Sequence, residues 1–139
     1  MKIVVDSLIS KLYESEILEL DPNMEIIVLN PEDHTNPSWG DVPEVDALFL
    51  SYQFLFAVRD HKHLFEPMLE VAKKAKFIQS GYSGMDDPFL QAVLKETSAI
   101  VANASSIYGK PMANYVLAQM LRWNKSCLLY TSPSPRDRV

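Results

Sequence analysis

Five short apolar runs, rich in β-branched or aromatic residues, recur along the chain with helix-length spacers between them. They are Ile3–Val5, Met24–Leu29, Ala47–Leu50, Phe77-Ile78 and Ala99–Ala102. Each is a strand or, for Phe77-Ile78, the heart of one, and nearly continuous in its hydrophobicity, the pattern of strands buried on both faces rather than one. The spacers are long enough for crossovers, so the strands are predicted to pair in parallel, in an α/β sheet with helices on both faces. Each run ends in polar or small residues: Asp6-Ser7, Asn30, Ser51-Tyr52, Ser80-Gly81 and Asn103. In open α/β sheets ligands bind outside the carboxyl ends of the strands, so a site is expected along that edge.

The spacers carry their own signals. Ile9, Leu12, Tyr13 and Ile17 recur at three- and four-residue intervals and predict an amphipathic helix. Asp21-Pro22-Asn23 reads as a turn, and Glu32–Val42 as a polar loop with Trp39 as its one large apolar group. A helix is expected over about Leu64–Ala75, with Pro67 at its first turn or bending it. Asp87-Pro88 predicts a helix start, an N-cap acid followed by proline at the first helical position, with Phe89, Val93 and Leu94 as the apolar stripe. Pro111 is read as opening a last helix in the same way. Met112, Val116 and Met120, flanked by Ala113, Leu117 and Leu121 and widened by Tyr115 and Trp123, give it an apolar stripe over half its circumference. Such a stripe predicts burial on two sides and hence a connector shared with another domain or subunit.

With 139 residues the chain is long enough for one domain with a sizeable core. Its net charge of −5 argues against nucleic acid and anionic membranes as partners, since both need basic patches. No apolar run approaches the roughly 18 residues of a membrane span. The apolar run in MKIVVDSLISK is too short for a signal peptide. One cysteine excludes a disulfide framework or a cysteine metal site, and a cytoplasmic location is expected.

Among the motifs, Gly81–Asp87 (GYSGMDD) is the best binding candidate. Two glycines three apart let a backbone turn tightly enough for successive N–H groups to face one anion, a carboxylate or a phosphate. The alternative is an ordinary strand-to-helix turn ending in a capping aspartate. No G-x-G-x-x-G or Gly-Lys-Ser/Thr phosphate loop is present; the four glycines Gly40, Gly81, Gly84 and Gly109 cannot supply either. The chain therefore shows no pyrophosphate-binding turn of its own. His61-Lys62-His63 is read as a solvated loop, because alternate residues point apart and no third ligand is near. His34 is read likewise, and no metal site is expected. G-x-S-x-G is absent, which removes the usual serine-hydrolase elbow.

KFIQSGYSGMDD (Lys76–Asp87) and IVANASSIYGKPMANYVLAQML (Ile100–Leu121) together resemble the D-isomer-specific 2-hydroxyacid dehydrogenase family. Ser83-Gly84-Met85-Asp86 occupy its S/A-G-V-D-like loop, Asn103-Ala104-Ser105-Ser106 its T-N-A-S-G strand end, and Pro111-Met112-Ala113-Asn114 its P-I-A-E. The likeness spans about 45 residues; Met1–Ala75 agrees only in layout. Ser106 stands where glycine is common and Asn114 where glutamate is usual. The resemblance implies a flavodoxin-like, Rossmann-like substrate domain preceding a larger nicotinamide-binding domain. It implies that backbone N–H groups at Ser83, Gly84 and Met85 hold a substrate carboxylate, and that Tyr52 walls the same cleft. Tyr108 and Gly109 would then lie at the interdomain hinge near the nicotinamide, with the Pro111 helix crossing between domains. The family's catalytic Arg, Glu and His and its glycine-rich cofactor turn fall beyond this stretch, as does a far C-terminal helix that covers the substrate domain.

The end of the chain changes character. Cys127–Asp137 (CLLYTSPSPRD) resembles a translated sequencing adapter of the kind found at the ends of metagenomic reading frames. On that reading native sequence stops near Ser126, the cysteine is not native, and the native part carries −6. The organisation expected is an incomplete substrate domain over 1–110, a truncated connector over 111–126 and a non-native tail over 127–139. The function implied is that of an oxidoreductase fragment. Its parent transfers a hydride between NAD or NADP and a small 2-oxo or 2-hydroxy acid and is homodimeric; this chain supplies no catalytic group and holds no cofactor alone. The alternative is a stand-alone flavodoxin-like binding or signalling domain. A phosphoacceptor receiver needs acids at the first and third strand ends and lysine at the fifth. Here they are Asp6, Ser51 and Asn103. A flavin site needs a Ser/Thr/Gly-rich loop where Asp6–Lys11 reads DSLISK.

Overall fold

The computed structural model describes residues 1–32 and 38–125. His34 and the adapter-like Cys127–Asp137 lie outside the described residues. Two compact units divide the chain, Met1–Ser105 and Ser106–Val139.

The first unit is built on five parallel strands: β1 (Lys2–Asp6), β2 (Glu25–Leu29), β3 (Val45–Leu50), β4 (Ala75–Ser80) and β5 (Ile100–Ala102). Their order is β2-β1-β3-β4-β5, a flavodoxin-like, Rossmann-like arrangement. The helices are α1 (Ser7–Leu20), α2 (Tyr52–Asp60), α3 (Phe65–Lys73) and α4 (Pro88–Glu96). Moving from β1 the chain steps first to one side of β1 and later to the other. Because crossovers are right-handed, α1 lies on one face and α2–α4 on the opposite one.

Register explains how the core forms. Ile27, Val4, Leu48, Ile78 and Val101 align in one transverse row across all five strands. That row faces α2–α4: Val4, Leu48 and Ile78 are fully buried, with Phe54, Leu55, Met68, Leu69 and Leu90 packed in the same cluster. Each such apolar side chain contributes about 1.5–3 kcal/mol on burial. The neighbouring row, Ile26, Ile3, Ala47, Phe77 and Ile100, points the other way because side chains alternate along a strand. It is much less covered: Phe77 is 37% and Ile100 72% exposed. α1 shares this face, and its predicted stripe is shallow, with Leu12 and Tyr13 exposed and Ile9 and Ile17 half-buried.

Three segments differ from the sequence reading. Directly after the polar end of β3, Tyr52–Asp60 forms α2, a segment for which the sequence predicts no helix. Ser51 Oγ caps it by accepting from the Phe54 N–H at 3.4 Å. Inside the predicted loop, Ser38–Asp41 forms a turn of 3-10 helix that buries Trp39 to 2% exposure, its ring edge-on to Phe54 at 6.0 Å.

The last helix, α5 (Ser105–Asn124), begins six residues before Pro111 and carries that proline inside. Proline is tolerated there at the loss of one backbone hydrogen bond and with a steric push on the preceding turn. Asn103 marks the true start: its Oδ1 accepts from the Ser105 N–H at 3.3 Å and the Ser105 hydroxyl at 2.8 Å. No residue of α5 is buried, so Met112, Val116, Met120 and Trp123 present apolar surface. Among the described residues no helix is long and apolar enough to cross a membrane.

Candidate functional site

The carboxyl ends of β1 and β3 are where the strand order reverses, the usual binding position in such sheets. Asp6 ends β1 and is wholly buried; its Oδ1 accepts from the N–H groups of Leu8 and Ile9, both at 2.8 Å, and so caps α1. Its Oδ2 has no hydrogen-bond partner among the described residues.

Beside it, Tyr52 is the first residue of α2 and is partly exposed. Its ring lies 4.9 Å from Tyr82 and 6.2 Å from Phe56, one helical turn along α2. Phe56 closes the triangle with Tyr82 at 6.5 Å, and the Arg59 guanidinium sits over the Phe56 ring at 4.5 Å. Burial, reinforced by the Asp87 carboxylate and opposed by Arg59, pushes the Tyr82 phenol pKa up. The sequence pointed to Tyr52 alone. Phe56 was missed because α2 was missed, whereas Tyr82 lay inside the glycine-bearing loop and was open to notice.

The loop Gly81–Asp87 joins β4 to α4 and is tied down through its carbonyls. Tyr82 O accepts from the Ala104 N–H at 2.9 Å, Ser83 O from Asn103 Nδ2 at 2.9 Å, and Met85 O from Gln91 Nε2. At the loop's ends, the Gly81 N–H donates to Leu50 O at 2.8 Å and the Tyr82 N–H to Ser80 Oγ at 3.1 Å. Asp87 caps α4 as the sequence predicts, Oδ1 accepting from the N–H groups of Phe89 at 2.8 Å and Leu90 at 3.3 Å.

The backbone N–H groups of Ser83, Gly84 and Met85 find no acceptor among the described residues. Ser83 and Gly84 are exposed, and Met85 is half-buried against the core. With its carbonyls occupied and its donors open, the loop presents a concentration of positive backbone dipole beside the start of α4. Asp86 is the opposing feature. A Cβ added at Gly84 would stand 2.7 Å from Asp86 Oδ1, so this carboxylate lies directly over the glycine. A larger residue there would have to push the exposed Asp86 side chain aside.

The fold thus brings Tyr52, Ser83, Gly84 and Met85 to one sheet edge. Tyr108 and Gly109 instead lie within α5, in the second unit, where a hinge loop was expected. His61 and His63 do not point apart: α2 ends at Asp60, Lys62–Leu64 is a 3-10 turn, and the two rings stand 5.9 Å apart. Even so, no group of three or more His, Cys, Asp or Glu among the described residues could hold a metal ion. Comparison of the chain with protein-family profiles, curated proteins and solved structures found no match.

Proposed function

We propose that the chain is the substrate domain of an NAD- or NADP-dependent 2-hydroxyacid dehydrogenase, a fragment whose part is to bind the carboxylate of a small 2-oxo or 2-hydroxy acid. The observation that carries this reading is the Gly81–Asp87 loop, with three carbonyls engaged and three successive N–H groups open at the sheet's binding edge. A carboxylate has two oxygens and only accepts, which suits a row of donors that require no side-chain charge. Tyr52 and Tyr82 provide an aromatic wall beside the loop for the rest of a small acid.

The half-exposed row from Ile3 to Ile100 supports the fragment reading, because the resembled family covers its substrate domain with a further helix. The apolar surface of α5 is likewise suited to contacts with another domain. A phosphoacceptor domain is less well supported. Its essential acid at the first strand end would be Asp6, which is wholly buried as a helix cap.

In this reading the residues present bind and orient substrate, and hydride chemistry belongs to a cofactor domain with its own acid–base groups. Amide NMR shifts of the 139-residue chain on titration with pyruvate, glyoxylate and hydroxypyruvate test it. Shifts centred on Ser83, Gly84 and Met85 are expected, strengthened in Asp86→Asn, which removes the nearby negative charge. Shifts absent from that loop, or NADH-dependent turnover by this chain, would overturn the proposal. Gene sequence continuing past Ser126 should encode a G-x-G-x-x-G turn about one helix and one strand beyond Trp123.

A further inference from the structure

A second cleft opens on the helical face of the first unit, between the end of α2, the start of α3 and the start of α4. Its volume is about 460 Å³, inside the range of roughly 300–1,000 Å³ typical of small-molecule sites. Val58, Phe65, Pro88 and Phe89 form apolar walls, with the Phe65 and Phe89 rings edge-to-face at 5.2 Å. Phe89 is itself buried to 3% exposure, so the half-buried Phe65 and the exposed Pro88 carry most of the apolar surface open to an occupant.

Four charges stand around these walls, and two are already engaged. Arg59 Nε donates to Asp60 Oδ1 at 3.0 Å while its guanidinium lies over Phe56, and Asp87 caps α4. The other two, Lys62 and Glu66, are exposed at the rim and have no ion-pair or hydrogen-bond partner among the described residues, each other included. The cleft therefore presents apolar walls with charge of both signs in its lining, and Lys62 and Glu66 are the two whose charged groups make no ion pair or hydrogen bond among the described residues.

We propose that this cleft binds a free amino acid with an aromatic or branched apolar side chain. The side chain fills the space against Phe65 and Pro88, Lys62 meets the α-carboxylate and Glu66 the α-ammonium. A simple carboxylic acid would leave Glu66 facing its own charge, and a simple amine would do so with Lys62. Only a zwitterion complements both. The site is separate from the Ser83–Met85 loop and does not depend on the dehydrogenase reading.

Titration of the full ¹⁵N-labelled chain with L-phenylalanine, 3-phenylpropionate and 2-phenylethylamine tests it. Phenylalanine should give saturable shifts at the amides of Val58, Lys62, Phe65 and Phe89, and bind at least about threefold more tightly than either singly charged analogue, the size of effect an exposed charge pair supports. Lys62→Gln should remove its advantage over 2-phenylethylamine, and Glu66→Gln its advantage over 3-phenylpropionate. Both side chains are exposed, so spectra elsewhere should be unchanged. Equal affinity for the three compounds, shifts outside the cleft, no saturable shift, or insensitivity to both substitutions would overturn the proposal. Pyruvate acting at Ser83–Met85 reports on the other site and leaves this result independent.

Discussion

Replacing Asp87 with alanine tests the local logic that holds the candidate loop in place. Helix α4 starts with Pro88, which has no N–H to satisfy. The next two donors, Phe89 and Leu90, are satisfied by the Asp87 carboxylate, and the fourth, Gln91, by the Asp87 carbonyl at 2.9 Å. One residue therefore meets every donor of the first turn. Alanine keeps the carbonyl but orphans two N–H groups, which costs about 1.5 kcal/mol, given a cap worth typically 1 and at most 2. Asparagine keeps an acceptor and loses the charge–dipole attraction, about 0.5 kcal/mol. For a unit of this size the alanine variant should melt roughly 8 °C lower. Urea denaturation followed by circular dichroism should rank stability Asp, then Asn, then Ala. Faster amide exchange at Phe89 and Leu90 should accompany the change. An alanine variant as stable as the parent, or an asparagine variant no better than alanine, would refute the assignment of the cap.

Two further outcomes follow from burial. Trp39→Ala empties a site with 2% exposure and removes the edge-on partner of Phe54, which should cost about 3–5 kcal/mol by chemical denaturation, with Trp39→Phe clearly milder. Tyr82 is an acid whose folded pKa lies above its unfolded value, chiefly through burial. Its contribution is fully present below the ordinary tyrosine pKa and is lost as pH rises through the raised one. Tyrosinate absorbance should therefore show one phenol titrating late, and Tyr82→Phe should abolish that late step.

The strands were readable because their β-branched runs stop at polar residues, and the sheet needs both. α4 was readable for a local reason too, since a capping acid followed by proline acts within four residues. α2 was not: Ser51-Tyr52-Gln53 ends the β3 run, and of these only Ser51, as a cap, announces the helix that follows. Pro111 misled in the opposite direction. A residue favoured at helix starts was carried inside a helix whose beginning is fixed by Asn103. At the site, the glycines of the loop announce a tight turn, but its anchoring does not appear in the local pattern. Asn103 reaches Ser83 across twenty residues, and the ring of Tyr82 meets Tyr52 only because β3 and β4 are neighbours.

The strand order also governs how the sheet can be assembled during synthesis. β2 pairs with β1, β3 with the other side of β1, β4 with β3, and β5 with β4. Each strand after β1 thus leaves the ribosome with one partner already made, and only β1 waits for the strands that flank it. Parallel pairing is otherwise slow and exposes unpaired edges to aggregation. Here the growing sheet has an edge ready for every newcomer, so assembly can keep step with elongation from the first thirty residues onward.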